Sequence, residues 1–483
     1  SDVYKRQNMD EQLYCEAMTD NAYTKQPNDA TQNIGNGSYS TADPYVKKVW
    51  DGRYTGIRMC NELLENIDRV PDLDPELKKR YIGEAKVLRA YNYYELYTKF
   101  GDVPYTTKVL SIKESMSIAR TAKATVIANV LADLDEVING NYLPTSYDAD
   151  NKGRITRWAA MAIKAKIYLF EGNWTQVKNI TSTIMTEGGF KLFESYAGLF
   201  EIANEYNSEV ILDAQYRPSR EHQMMYVFLP PTLGGYSQLS PLQELVDSYI
   251  MLDGKTIKET GTSFDESHPY ANRDPRLKAT VMYTGNSYTL ADGTEVVINC
   301  EKGEGKDGYG VGSDCSATGY YIKKYWDNTY RATLYSGLNP ILIRYADILL
   351  MNAEALAELG ELDKTAWDAT IKPIRDRAGF TLASALEFPE GASKDKLIEI
   401  VRNERRSELA LEGHRHKDII RWRIADNVLN GWCHGLKTND VVGTDDGYVR
   451  VENRTFNANR HYLWPIPQAE RDLNGNLEQN PNW

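Results

Sequence analysis

Residues 75–101 have the sequence PELKKRYIGEAKVLRAYNYYELYTKFG, which carries the clearest folding signal in the chain. Apolar and tyrosine side chains recur there at spacings of three and four residues, at Leu77, Tyr81, Ala85, Leu88 and Tyr91. Those spacings place them on one face of an α-helix, and a glycine such as Gly101 is a typical helix end. We therefore predict one long helix that follows the break between Pro71 and Pro75 and stops at Gly101.

The same periodicity extends to both sides of this helix. A stripe before the break consists of Ile57, Cys60, Leu64 and Ile67, so the two segments predict a helical hairpin. Three more helices are predicted at residues 126–137, 158–169 and 177–184. Thr156 is the expected N-cap of the helix at 158–169, and Gly172 marks its end.

The middle of the chain, from about residue 190 to residue 340, has a different character. Turn residues are frequent there, tyrosine is common, and the strand-like segments at 209–215 and 319–325 are short. Helical stripes return at 342–356, 367–378 and 397–412. Pro373 lies inside the second of these stripes, where it should kink the helix or mark its true start.

These patterns predict a mainly α protein. Helix pairs of similar size are typical of tetratricopeptide units, although no strict 34-residue repeat is present. We expect a tetratricopeptide-like helical-repeat scaffold with a large loop-rich insertion that contains a few short strands. The predicted parts are an N-terminal helical-repeat part (1–190), a loop-rich ligand-binding insertion (191–340) and a C-terminal helical part (341–483), together forming one integrated unit.

Composition excludes several classes of function. The chain has 56 Lys and Arg against 68 Asp and Glu, and its net charge of −12 argues against a non-specific nucleic-acid binder. No run of about 18 apolar residues predicts a membrane span, and no motif predicts a metal site or a cofactor. Cys300 and Cys315 flank a glycine-rich stretch and could form one loop disulfide or remain two unrelated thiols.

The aromatic composition indicates a class of ligand. There are 33 Tyr and 9 Trp against 10 Phe, and rings with a hydrogen-bonding group suit half-wet surfaces. Sugar rings stack their C–H faces on aromatic side chains and pair their hydroxyls with amides, carboxylates and guanidinium groups. The candidate glycan-binding residues in turn-rich segments are Tyr39, Trp50, Arg220, Tyr226, Tyr236, Tyr320, Trp326, Asp327 and Asn328.

A charged segment near residue 400 has two interpretations. Glu404 and Glu408 lie one helical turn apart, the arrangement of a carboxylate pair that could hydrolyse a glycosidic bond. Neighbouring arginines would instead lower both pKa values, which does not suit a general acid at neutral pH. We favour a structural ion-pair network and keep a glycoside hydrolase as an alternative. A tetratricopeptide adaptor that binds protein tails is a further alternative.

Several blocks, in order along the chain, resemble the SusD/RagB family of glycan-binding outer-membrane lipoproteins. They are GEAKVLRAYNYY (83–94), FGDVP (100–104), RYADILLMNAEA (344–355), IRDRAG (374–379), ERRSEL (404–409) followed by EGHR (412–415) and Asp418, WPIP (464–467) and QNP (479–481). The resemblance reaches from about residue 50 to the C-terminus.

This resemblance implies a protein that is not an enzyme. Members of the family are held on the surface of Gram-negative bacteria by an acylated N-terminal Cys, capture oligosaccharides or polysaccharides, and close as a lid over a SusC-like TonB-dependent transporter. Their ligand loops vary, so the resemblance assigns no site residue. The first seven residues, 1–7, look like a cloning scar, and we expect the native N-terminus with its lipid anchor to be missing from this sequence.

Overall fold

The computed structural model describes residues 9–25, 31–216, 221–290, 292–330, 332–438 and 440–483. The stretch quoted above forms the helix Pro75–Phe100. The Asp74 side chain caps its start by accepting a hydrogen bond from the Leu77 amide at 2.8 Å. Gly101 ends it with a φ of 70°, a conformation that favours glycine. The predicted long helix is confirmed.

Eight helices occupy the described N-terminal part: α1 Met9–Tyr14, α2 Thr31–Asn36, α3 Pro44–Asn66, α4 Pro75–Phe100, α5 Ile112–Ser115, α6 Lys123–Asn139, α7 Arg157–Phe170 and α8 Trp174–Glu187. The predicted hairpin is α3 packed on α4, and α4, α6, α7 and α8 then pack in succession. Thr156 caps α7, since its hydroxyl accepts from the Ala159 amide at 3.2 Å. The helices predicted from periodicity are confirmed.

Short elements dominate the middle of the chain. The strand β1 Ala22–Thr24 lies in the N-terminal part, and the elements of the middle are β2 Val210–Asp213, α9 Met224–Phe228, β3 Leu239–Pro241, α10 Gln243–Ser248, α11 Pro275–Thr280, β4 Val281–Met282, β5 Ser287–Thr289, β6 Glu295–Val297, β7 Tyr321–Ile322 and β8 Ile341–Arg344. The pairs β1–β3, β2–β8, β4–β7 and β5–β6 are antiparallel. A separate hydrophobic core, which includes Phe228, Tyr249 and Tyr321, supports this region.

The C-terminal part returns to helices. Its elements are α12 Tyr345–Leu359, α13 Lys364–Ala369, α14 Ile371–Ala378, α15 Ala383–Leu386, α16 Lys394–Glu408, α17 Arg415–Arg421, α18 Ala425–Val428, β9 Gly431–Lys437, β10 Thr444–Asp445, β11 Tyr448–Arg454 and α19 Gln468–Leu473. Helix α12 packs on both α8 and α16. The Asn352 amide joins α12 to α8 by donating to Thr181 Oγ1 at 2.9 Å. The middle of the chain therefore loops out between two helices that lie side by side, which produces the predicted helical array with a loop-rich insertion.

The C-terminal part confirms the expectation that Pro373 marks a helix start and differs from the prediction in one other respect. The stripe at 367–378 is two helices that meet at Thr370, and Pro373 lies in the first turn of the second, where its missing N–H breaks no helical hydrogen bond. The part expected to be helical also contains a three-stranded antiparallel sheet in the order β10-β11-β9. We call its long pair of strands, β9 and β11, the hairpin. Asp446 and Gly447 turn β10 into β11 with φ values of 51° and 87°, as is typical of a two-residue Asp-Gly turn.

Three chemical features follow from the described part of the chain. No helix there has both the length and the apolar composition of a bilayer span. Within the same ranges, no three His, Cys, Asp or Glu side chains converge as metal ligands would. Cys300 and Cys315 are buried free thiols, so they are two unrelated thiols and form no disulfide with each other.

Candidate functional site

Four of the predicted site residues lie in the protein interior. Tyr39, Trp50, Tyr320 and Asp327 are each 2–4% exposed. Trp50 belongs to α3 and packs edge-on against Phe100 with ring centroids 5.0 Å apart. Asp327 holds the local chain by accepting from the amides of Ile202 and Thr329 at 2.7 and 2.8 Å. Side chains buried this deeply have no free face for a sugar, so the expectation that these four bind ligand is corrected.

Tyr39 and Tyr320 are buried by contacts with residues that are distant in sequence. The Tyr39 ring meets the ring of Trp483 at 4.8 Å, and its burial raises the pKa of the Tyr39 hydroxyl. The Tyr320 hydroxyl donates to Gln243 Oε1 at 2.5 Å. Both partners are distant in sequence, so local composition did not indicate them.

The remaining predicted residues are more accessible, with one exception that the structure does not describe. Trp326 is half-buried and meets Tyr288 edge-on at 5.1 Å. Asn328 is exposed at the start of the short 3-10 turn Asn328–Tyr330. Arg220 lies outside the described residues.

The structure places the rings of Tyr226 and Tyr236 side by side. Tyr226 is in α9, and the chain reverses at Gly234, whose φ is 87°. The Tyr236 amide then donates to the Tyr226 carbonyl at 3.0 Å, and the two ring centroids lie 4.4 Å apart. Tyr236 is 37% exposed, so part of the pair faces solvent.

A third tyrosine, absent from the sequence-based set, extends this surface. Tyr335 is 41% exposed, and its hydroxyl accepts a hydrogen bond at 2.9 Å from the side-chain Nε2 of Gln223, one residue before α9. A hydrogen bond with Tyr236, together with the neighbouring Tyr335 and Asp314, raises the pKa of Tyr226 to about 12. The Tyr226 hydroxyl is therefore neutral at physiological pH. We call Tyr226, Tyr236 and Tyr335 the aromatic platform.

Hydrogen bonds from Lys25 connect the chain segments beside the aromatic platform. The Lys25 ammonium donates to the carbonyls of Ser313 and Cys315 at 2.5 and 2.8 Å, and the Lys25 amide donates to the Gln238 carbonyl at 3.0 Å. These bonds hold the loop at 313–315 near the strand that follows Tyr236. Exposed rings on a fixed backbone, with amide and carboxylate groups beside them, can stack on and hydrogen-bond to a sugar.

Glu404 and Glu408 lie elsewhere, inside a network of ion pairs. Glu404 is 2.7 Å from both Arg276 and Arg375, and Glu408 pairs with Arg276 at 2.9 Å and Arg344 at 2.6 Å. Both carboxylates are almost fully buried, yet the arginines lower the pKa of each below its usual range. A general acid must hold a proton and meet its substrate, and neither group meets these conditions. The geometry gives the pair a structural role.

Comparison with known proteins identifies the family. Residues 199–483 match the model of the SusD family, and residues 1–169 match a model described as starch-binding and associating with the outer membrane. The chain belongs to the SusD family. A SusD-like protein of Formosa agariphila is 27% identical over 439 residues, which cover 84% of this chain and 77% of that protein.

Solved SusD structures share the fold. A SusD-like carbohydrate-binding protein of Bacteroides fragilis is 29% identical with a TM-score of 0.87, and the match covers 98% of this chain and 93% of that one. A laminarin-binding SusD-like protein is 24% identical with a TM-score of 0.74 over 100% of this chain and 97% of that one. That second likeness shows the fold alone.

Proposed function

We propose that this SusD-family chain binds a neutral oligosaccharide or polysaccharide on the aromatic platform, without any covalent step. The observation that carries the proposal is the paired, part-exposed rings of Tyr226 and Tyr236 beside the exposed Tyr335. Family membership and the carbohydrate-binding relative support the same class of ligand. The chain's net charge of −12 disfavours strongly acidic polymers.

The direct test is calorimetric titration of the protein with a panel of neutral glycans: starch, laminarin, xylan and mannan. Changing Tyr226 and Tyr236 together to Ala should weaken binding about tenfold or more, since aromatic contacts contribute roughly 0.5–1.5 kcal/mol each beyond buried area. The matched control changes both to Phe, which keeps the rings and should keep most of the affinity. Failure of every glycan to bind the wild-type protein would overturn the proposal.

We also propose that the bound glycan passes to a SusC-like TonB-dependent transporter at the outer membrane, where the chain is held by a lipid anchor. The outer-membrane description of the matching family supports this placement. Co-expression with a SusC-like transporter of the same genome should give a complex that co-purifies from outer membranes. Separate migration of the two proteins would contradict the partnership and leave glycan binding unaffected.

A further inference from the structure

A second cleft opens in the loop-rich region, apart from the aromatic platform. It has a volume of about 1030 Å³ and lies between the hairpin β9–β11 and the loops at 266–271, 283–286 and 300–304. Its lining includes none of the platform tyrosines. Small-molecule sites span roughly 300–1,000 Å³, so this cleft has the size of a ligand site. We call it the Tyr283 cleft.

Aromatic rings form part of its wall. Tyr270 and Tyr283 stack with centroids 4.0 Å apart and planes 17° from parallel. The Tyr320 ring meets Tyr270 edge-on, and their hydroxyls lie 3.2 Å apart, so a core tyrosine supports Tyr270. Tyr448 adds a third ring from the hairpin. Tyr283 and Tyr448 are only half-buried, which leaves part of each ring open to a ligand.

The hairpin wall is held in one position by close backbone contact. The Leu436 amide donates to the Thr318 carbonyl at 2.7 Å. A Cβ on Gly435 would lie 2.5 Å from that same carbonyl oxygen, so only glycine allows this approach. This contact fixes β9 against the chain at Thr318 on one side of the cleft.

The charges at the cleft favour a neutral ligand. Four carboxylates line it (Glu266, Glu301, Glu304 and Asp440) together with three ammonium groups (Lys278, Lys302 and Lys437), so these seven groups sum to 3 − 4 = −1. Lys437 pairs with Glu266 at 2.6 Å, and Lys302 pairs with Asp440. No net positive field attracts an anion, whereas sugar hydroxyls can hydrogen-bond to groups of both signs.

We propose that the Tyr283 cleft is a second carbohydrate subsite that binds a neutral oligosaccharide independently of the aromatic platform. The sugar stacks on the open faces of Tyr283 and Tyr448 and hydrogen-bonds to the charged side chains that line the cleft. Two separate sites on one chain would hold two segments of a long polysaccharide, and a tethered second contact raises the apparent affinity without new chemistry at the first site.

The test uses the full chain with its platform disabled by Tyr226→Ala and Tyr236→Ala. This variant is titrated at millimolar concentrations with maltohexaose, laminarihexaose, xylohexaose and mannohexaose, and hydrogen exchange is followed at 266–286 and 436–448. We expect saturable binding of at least one hexasaccharide and slower exchange in both segments. Adding Tyr283→Ala should weaken this binding about tenfold, whereas Tyr283→Phe should retain it. The exposed Trp432 on the same hairpin provides the matched control, Trp432→Ala, which should change nothing.

The outcomes separate this subsite from the proposed function. If wild-type protein binds glycans but the platform-disabled variant binds none, the second subsite is overturned and the platform stands. Unchanged affinity after Tyr283→Ala, or tighter binding of the acidic polymer polygalacturonate than of neutral glycans, also overturns it. If wild-type protein binds no member of either panel, both proposals fail.

Discussion

Replacing Glu408 by Gln removes a carboxylate that three buried arginines share. Its oxygens accept from Arg344 at 2.6 Å and Arg276 at 2.9 Å, and a third bond comes from Arg377. The surrounding network contains the acids Asp274, Glu209, Glu404, Glu408 and Glu412 and the bases Arg276, Arg344, Arg375, Arg377 and Lys324. Five negative and five positive charges balance, so the substitution leaves one uncompensated buried positive charge.

The expected loss of unfolding free energy depends on which carboxylates each arginine still contacts. Removing one partner of a buried ion pair typically lowers the free energy of unfolding by about 3–5 kcal/mol. Arg344 keeps Glu209 and Glu412, Arg276 keeps Asp274 and Glu404, and Arg377 keeps Glu209. Because no arginine is left without a carboxylate, we expect the lower end, about 3 kcal/mol. A typical domain has only ~5–15 kcal/mol of stability, so the loss is large.

Urea unfolding, followed by circular dichroism, measures the loss. The matched control is Glu361→Gln, because Glu361 pairs with Lys178 at 2.7 Å but is 48% exposed. Exposed pairs contribute about 0–1 kcal/mol, so the control should unfold close to the wild type. A Glu408→Gln protein as stable as the control would refute the network argument. Release of new reducing ends from a glycan by the wild type, abolished by Glu408→Gln, would restore the hydrolase alternative.

Three further predictions concern the hairpin and one helix cap. Hydrogen bonding to Glu244 and then Asp445 raises the pKa of His434, so its stabilising effect is complete below about pH 6.5 and is lost as pH rises through the raised value. His434→Gln should therefore lower the melting temperature more at pH 5.5 than at pH 8.5, and an equal effect at both would contradict this. Gly435→Ala should cost about 1–3 kcal/mol in urea unfolding because its Cβ meets the Thr318 carbonyl, whereas Gly475→Ala, with open space around its Cβ, should be neutral. Thr156→Ala should cost about 1 kcal/mol in the same assay, and Thr156→Ser, which keeps the capping oxygen, should restore it.

Much of the scaffold was predictable from local sequence. Helix α4 follows from its apolar spacing together with Asp74 and Gly101 at its ends, and α7 follows from its spacing and the Thr156 cap. These features act within a few residues of one another, so a single sequence contains them. The turn between β10 and β11 was predictable in the same way from the Asp-Gly pair at 446–447.

The candidate site was only partly predictable. Tyr226 and Tyr236 lie close in sequence and meet because a short chain reversal joins them, so the composition of that segment indicated the pair. Tyr335 joins the same surface through Gln223, which is 112 residues away. No local pattern shows such a contact.

The sequence by itself determined the helical segments, their caps, the loop-rich middle and, through its ordered blocks, the family. Only the tertiary structure decided which tyrosines face solvent and what the buried carboxylates do. Trp50 is buried because Phe100 packs on it, and Glu408 is a structural anion because Arg276, Arg344 and Arg377 converge on it. Helix formation depends on neighbours three and four residues apart, whereas burial and charge compensation depend on segments that meet only when the whole chain has folded.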